Sequence, residues 1–444
     1  MNIPDHIFKA YDIRGLLAEV STEIASQVGI AVVKKTGAKI VVVGRDMRKT
    51  SPELAQAVID GITEAGADVR DIGMCTTSMY NFAVSSYGEV DAGVMITASH
   101  NPSEYNGIKM ALRTGEPISG TEILEMIRAG LDTDSENKGS VSKFEILDDY
   151  LNKFIELSGV ADLSGTKIVV DYGNGMASVS IRPLLKRLGA EVVELYAEPD
   201  ADFPNHEANP AKEETLIDIK KKVIEVGADF GIATDGDGDR IAFIDETGNS
   251  IRGDQTLAIL AESILRDKPG SKIIVSPNHG WAPMDMIKSV GGELINCRIG
   301  RTFIIKLMRE TGAAVSGEVS SHFFFEETNG LESIDYAFLL VANVWKKSGK
   351  KFSELADPLR TYFNSGEINQ EIKDKEAVLK AIEDKYASVA TVVDRIDGIR
   401  CEFNRDWWFI IRPSNTEPIL RLTLEAKSQE LLDEKTAELK SFLK

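Results

Sequence analysis

Six consecutive residues, Asp235-Gly236-Asp237-Gly238-Asp239-Arg240, combine charge with backbone freedom. Three carboxylates at i, i+2 and i+4 can converge from one loop when glycines separate them, because glycine reaches backbone angles that other residues avoid. Carboxylate oxygens suit a hard cation such as Mg²⁺, and three clustered charges repel strongly without one. A solvated acidic turn is the plain alternative, and the glycine alternation argues against it. An EF-hand is excluded. Its carboxylate positions are matched, including Glu246, but Arg240 stands where that loop needs glycine, and the flanks GIAT and IAFID read as strands.

Three further clusters carry chemistry. Thr97-Ala98-Ser99-His100-Asn101-Pro102 follows an apolar run, so Ser99 falls at a strand end, where α/β proteins place ligands. His100 is a poor base for it in an extended loop, where neighbouring side chains point apart. No G-x-S-x-G supports a hydrolase, and a simple turn fits the spacing as well. In Gly317-Glu318-Val319-Ser320-Ser321-His322 the carboxylate, hydroxyl and imidazole alternate, so an extended loop would show all three on one side to sugar hydroxyls; a polar sheet edge would look the same. Arg412-Pro413-Ser414-Asn415-Thr416-Glu417-Pro418 offers a guanidinium fork and several donors between two prolines, which suits an anion, or serves as a structural turn. Smaller signals are Tyr11 and Arg14 in KAYDIRG, and Lys109 shortly after Ser99. No G-x-x-x-x-G-K-[ST] is present, so nucleoside triphosphate hydrolysis has no support.

The elements that must hold these groups repeat. Lys39 (KIVVVGRD), Lys167 (KIVVDYGN) and Lys272 (KIIVSPNHG) each open a β-branched run, then a helical stretch, then a glycine and a second strand. Continuous apolar strands alternating with helices predict parallel sheets covered on both faces. After about residue 365 the style changes to helices over Glu376–Tyr386 and Leu431–Leu443, with strands Trp408–Arg412 and Ile419–Glu425 between them. The 444 residues carry a net charge of −19, which disfavours nucleic acid and anionic membranes as partners. Three scattered cysteines form no disulfide framework and fit a reducing, cytoplasmic setting. The N-terminus has no apolar core of a signal peptide, and no apolar stretch is long enough to span a membrane.

KAYDIRG, TASHNP, DGDGDR, a GE-x-S-x-H loop and RPSNTEP occur in that order, and together they resemble the α-D-phosphohexomutase family, in its phosphomannomutase/phosphoglucomutase branch. The resemblance runs the length of the chain. It implies three related α/β domains with mixed, mostly parallel sheets plus a smaller C-terminal α+β domain, around a central cleft. The expected boundaries are 1–148, 149–248, 249–365 and 366–444. It implies phosphoryl transfer between the 1- and 6-positions of mannose or glucose phosphates through a hexose 1,6-bisphosphate, with Mg²⁺ as cofactor and glucose 1,6-bisphosphate as activator.

On this resemblance Ser99 carries the phosphoryl group, and Asp235, Asp237 and Asp239 hold the metal together with a phosphoserine oxygen. Arg14, Lys109 and Arg240 flank the transferring group. Glu318 and Ser320 read sugar hydroxyls, His322 is an acid/base, and Arg412, Ser414, Asn415 and Thr416 grip the other phosphate, with Tyr11 as an added contact. Two residues depart from the family pattern: Ser321 replaces a glycine, and Arg301 stands where many members have histidine. The alternative is phosphoglucosamine mutase, which usually has SGTEP where this chain has SNTEP. The oligomeric state is left open.

Overall fold

In the run Ile40–Arg45, Val41, Val42 and Val43 are all buried, so this segment is a central strand covered on both faces. The structure, a computed structural model, describes residues 3–131, 137–414 and 419–443. Ile40–Arg45 leads through the helix Ser51–Glu64 to Asp68–Met74, and the two strands pair in parallel with Ile40 opposite Asp68. The same order recurs in Lys167–Asp171, Ile181–Leu188 and Glu191–Leu195, and again in Lys272–Val275, Trp281–Ser289 and Glu293–Asn296. Both repeats are parallel, with Lys167 opposite Glu191 and Lys272 opposite Glu293. The glycines after the three helices, Gly66, Gly189 and Gly291, have φ of 90°, 75° and 89°. Each supplies the left-handed step that turns a helix back towards its sheet.

The chain forms two compact units, Met1–Gly253 with Ser320–Ser353, and Asp254–Val319 with Glu354–Lys444. In the first unit one sheet runs in the order Asp12–Leu16, Tyr105–Leu112, Ala92–Ile96, Ile40–Arg45, Asp68–Met74, Val141–Lys143. Its middle is parallel, and the first two strands form an antiparallel edge. A second sheet runs Ser250–Ile251, Ile241–Asp245, Phe230–Thr234, Lys167–Asp171, Glu191–Leu195. Every residue of Phe230–Thr234 and Ile241–Asp245 is buried. The apolar helix Ile334–Ser348 belongs to this unit because aromatic rings bind it there. Tyr336 lies 5.2 Å from Phe154, and Phe352, just past the helix, stacks on Phe230 at 4.5 Å.

In the second unit Lys272–Val275 pairs in parallel with both Glu293–Asn296 and Val315–Gly317. The C-terminal sheet is antiparallel throughout, in the order Phe363–Asn364, Ile419–Ala426, Trp407–Pro413, Ile399–Phe403, Val392–Asp394. Lys375–Tyr386 covers it, with Tyr386 5.1 Å from Phe409. The last helix is Gln429–Lys440, two residues earlier than its apolar pattern predicts, because Ser428 caps it by accepting from Leu431 N.

Candidate active site

Ser99 follows the strand Ala92–Ile96 and is 5% exposed. Its backbone is left-handed, φ 54°, and its N–H donates to Thr97 Oγ1 at 2.9 Å. That conformation costs a non-glycine residue about 1 kcal/mol, so the surroundings must hold it. Arg48 does so. Its guanidinium donates to the carbonyls of Ser99 (3.1 Å), Asn101 (2.5 Å), Pro102 (2.7 Å) and Tyr105 (3.0 Å), while Nε pairs with Asp46. The left-handed turn also corrects the sequence reading of His100. The loop is not extended, and His100 Nδ1 lies 3.3 Å from Ser99 Oγ. Burial, with Arg240 and Arg14 nearby, pushes His100 down to about 3, so the ring is neutral and its lone pair can accept.

The acidic loop joins Phe230–Thr234 to Ile241–Asp245, and ligand atoms of Asp235, Asp237 and Asp239 lie within 4.8 Å of one another. Both glycines are forced. A β-carbon on Gly236 would lie 2.7 Å from Ser99 O, and Gly238 has φ 69° with Thr76 beside it. Thr77, at the start of the helix Thr77–Ser86, donates its N–H to Asp237 O (2.7 Å) and its hydroxyl to Asp237 Oδ2 (2.6 Å). Lys109 is carried by the antiparallel strand Tyr105–Leu112, opposite both Met95 and Asp12. Its Nζ reaches Asp237 (2.7 Å) and Asp239 (3.0 Å).

Burial and the two neighbouring carboxylates push Asp235 well above its ordinary value. Burial acts the same way on Asp239, but Lys109, His322 and Arg240 together hold it well below. The buried oxygens Asp235 Oδ2 and Asp237 Oδ1 accept no hydrogen bond. Hard-oxygen ligands left over in this way fit a divalent metal, which would ionise all three.

Around this pair of loops stand the other cations. Arg14 Nη2 pairs with Asp12 (2.6 Å) and Nη1 donates to Asn101 Oδ1 (3.1 Å), while its buried Nε has no acceptor. Tyr11, three residues before Arg14, is 47% exposed. Arg240 donates from Nη1 to Asn209 Oδ1 (3.2 Å) and from Nε to His322 Nε2 (3.1 Å). His322 Nδ1 is 3.0 Å from Ser320 Oγ, and Nε2 is 3.3 Å from Asp239. Residues 318–322 do not form the extended loop the alternation predicted. Residues 319 and 320 are a turn, and Ser321 has φ 73°, so the chain doubles back and brings Ser320 onto His322.

In the second unit Glu318 is buried after Val315–Gly317, and Arg301 opens the helix Arg301–Thr311 behind Gly300, whose φ is 136°. Arg412 is 9% exposed at the end of its strand, 3.6 Å from Glu367, and Ser414 N donates to Ile419 O (3.0 Å). Asn415 and Thr416 lie outside the described residues. Three residues of the first unit are not marked by any sequence motif: Arg48, Thr77 and Asn209. The signal for Arg48 was its place just after the strand Ile40–Arg45 in GRDMR, but what it grips lies some fifty residues away.

A buried serine at a strand end, on a loop packed against one that carries three carboxylates, with a lysine and arginines around the two loops on an α/β scaffold, is the equipment of a metal-assisted phosphoryl-transfer enzyme. Known proteins narrow that class. The phosphoglucomutase/phosphomannomutase alpha/beta/alpha domains I, II and III match residues 5–138, 148–248 and 252–362, and the C-terminal domain matches 367–440. The chain belongs to the phosphoglucomutase/phosphomannomutase family, with its four-domain architecture, and is an isomerase acting as a hexose phosphate mutase.

Phosphomannomutase of Salmonella montevideo is 37% identical, over 98% of this chain and 98% of its own. Phosphomannomutase/phosphoglucomutase of Pseudomonas syringae pv. tomato is 34% identical, over 97% and 93%. The crystal structure of a phosphoglucomutase/phosphomannomutase family protein from Burkholderia thailandensis superposes with a TM-score of 0.90 at 33% identity, covering 100% of this chain and 98% of that one. Among the described residues no helix is long and apolar enough to cross a membrane.

Proposed function

We propose that the substrates are mannose and glucose phosphates, and that the phosphoryl group passes between their 1- and 6-positions by way of Ser99. Phospho-Ser99 gives its group to a free hydroxyl of the hexose phosphate. The bond from phosphorus to Oγ breaks as the bond to the sugar oxygen forms, and the sugar hydroxyl's proton, carried by His322, ends on Ser99 Oγ. The resulting 1,6-bisphosphate turns end over end, and the same exchange in reverse returns its other phosphoryl to Ser99. Glucose 1,6-bisphosphate primes an unphosphorylated chain by that return step. Asp235, Asp237, Asp239 and a phosphoserine oxygen would hold Mg²⁺, which would supply positive charge where the transferring group gathers negative charge. Lys109, Arg14 and Arg240 add to it. Glu318 and Ser320 read sugar hydroxyls. Arg412, Ser414, Asn415 and Thr416 hold the phosphate that stays in place, with Arg301 and Tyr11 as further contacts.

One observation carries this reading above the rest. Ser99 is buried in a strained turn whose carbonyl touches Gly236, the residue between two metal-loop aspartates. A phosphoryl group on a serine so placed would stand beside the acidic loop that Lys109 reaches. The test is a coupled assay on mannose 1-phosphate, glucose 1-phosphate and glucosamine 1-phosphate in parallel, with Mg²⁺ and trace glucose 1,6-bisphosphate. Isomerisation of the first two, lost without Mg²⁺ and in Ser99→Ala, is expected. Turnover of glucosamine 1-phosphate alone overturns the choice of sugar, and full activity in Ser99→Ala overturns the phosphoserine.

A further inference from the structure

His206 lies on segment 200–209, after the strand Glu191–Leu195, and takes no part in the chemistry above. Its Nδ1 is 2.8 Å from Glu207 O, and its Nε2 is 3.1 and 3.3 Å from the two carboxylate oxygens of Asp171. Both partners only accept, so both ring nitrogens must carry hydrogen to satisfy them, and the imidazolium fits where either neutral tautomer leaves one contact unmade. Asp171, which closes the strand Lys167–Asp171, is 1% exposed. The other titratable groups facing the ring are few. Tyr196 packs edge-on at 5.3 Å and donates its hydroxyl to Asp218 (2.7 Å), and the Glu207 carboxylate is taken by Lys212 and Asn209. Burial opposes the charge on His206, but the Asp171 carboxylate outweighs it and raises the ring above the ordinary histidine value.

The segment that this pair fastens reaches the acidic loop and also Arg48, which holds the Ser99 turn. Ala208 O accepts from Gly236 N (3.2 Å), and Asn209 Oδ1 accepts from Arg240 Nη1 (3.2 Å). The Phe203 ring lies 3.4 Å from where a β-carbon on Gly236 would sit, with the Arg48 guanidinium 5.8 Å from its centre. Asp202 pairs with Lys49 at 2.6 Å. We propose that His206 is a positioning residue for the mutase site: its imidazolium clamps segment 200–209 to Asp171, and through Ala208 and Asn209 that segment seats the acidic loop and Arg240. Loss of the ring proton frees one of the two contacts and slackens the hold on Arg240, so activity falls as pH rises through the His206 titration. The proposal rests on the phosphoryl-transfer reading of Arg240.

The test follows His206 and turnover together on the full chain, from acid to alkaline pH. The imidazole NMR signals of His206 are assigned by their loss in His206→Gln, and kcat and KM for glucose 1-phosphate are measured over the same range. Wild-type His206 is expected to titrate above free histidine, with kcat/KM falling in step, and Asp171→Asn should move both to lower pH. His206→Gln can donate to Asp171 but cannot titrate. It should lack that limb and lose roughly ten-fold in kcat/KM at neutral pH, mostly in kcat. If His206→Gln does not fold, Asp171→Asn decides alone. Titration at or below the free-histidine value, or a limb that Asp171→Asn does not move, overturns the proposal. A folded wild type without mutase turnover overturns the functional reading instead, and the NMR titration still decides the clamp.

Discussion

A β-carbon on Gly236 would stand 2.7 Å from the carbonyl oxygen of Ser99, closer than two such atoms approach without something shifting. The loop that carries the acids and the loop that carries the hydroxyl therefore meet backbone to backbone. Gly236→Ala must push them apart by several tenths of an ångström, and both are held by buried hydrogen bonds. The expected result is a loss of about 1–3 kcal/mol in stability. A larger loss is expected in kcat, on the order of 100-fold, because displacement near the reacting atoms is costly. Kinetics and urea unfolding on one preparation check both, and wild-type kcat would show that the contact does not govern the site.

Asp237 is the carboxylate on which Lys109 and Thr77 converge. Asp237→Asn removes one carboxylate charge from the acidic loop and leaves Lys109 partly uncompensated. Mg²⁺ is expected to raise the wild-type melting temperature in proportion to its binding, and Asp237→Asn should abolish that rise and lower kcat by more than roughly 100-fold. Calorimetry in EDTA and in excess Mg²⁺ checks the first point without reference to activity.

Asp335 predicts a pH effect on stability. It is fully buried at the start of the helix Ile334–Ser348, accepting from Tyr150 (2.6 Å) and Ser180 (3.1 Å), and burial pushes it up to about 6. An acid raised in the folded state contributes stability that is complete below its unfolded value and is lost as pH rises through the folded one. Through this group the protein gains on the order of 3 kcal/mol between neutral pH and about pH 4. Asp335→Asn keeps an acceptor and carries no charge. It is expected to be more stable than wild type at pH 7, with the advantage shrinking on acidification. A difference in melting temperature that is constant with pH counts against this.

Ser321 stands at φ 73°, a conformation that favours glycine, and its carbonyl accepts from Ile241 N (3.1 Å). Ser321→Gly relieves up to about 1 kcal/mol of backbone strain, partly offset by the greater freedom glycine has when unfolded. Its melting temperature should match or slightly exceed wild type. Ser321→Val, β-branched in the same conformation, should fall below both.

The chemistry-bearing motifs were legible because each is local. An aspartate–glycine alternation, a serine after an apolar strand and a lysine-led β-branched run declare themselves within about ten residues. Geometry that depends on one backbone angle was not legible. Side chains of neighbours in an extended loop diverge, which would part His100 from Ser99, and the left-handed turn at Ser99 reverses that. The alternation of Glu318, Ser320 and His322 suggested one face of an extended loop, and the turn through Ser321 replaced it.

Sequence alone determined which groups are equipped for phosphoryl-transfer chemistry and which strands end beside them, since strand patterning and glycine placement act over short range. Only the tertiary structure decided what holds those groups. Arg48 gathers carbonyls from residues 99–105, and segment 200–209 seats Arg240 through Asn209. Those partners are buried polar groups far apart in the chain. Packing of the sheets brings them within hydrogen-bond range, and the cost of leaving any of them unpaired keeps them there.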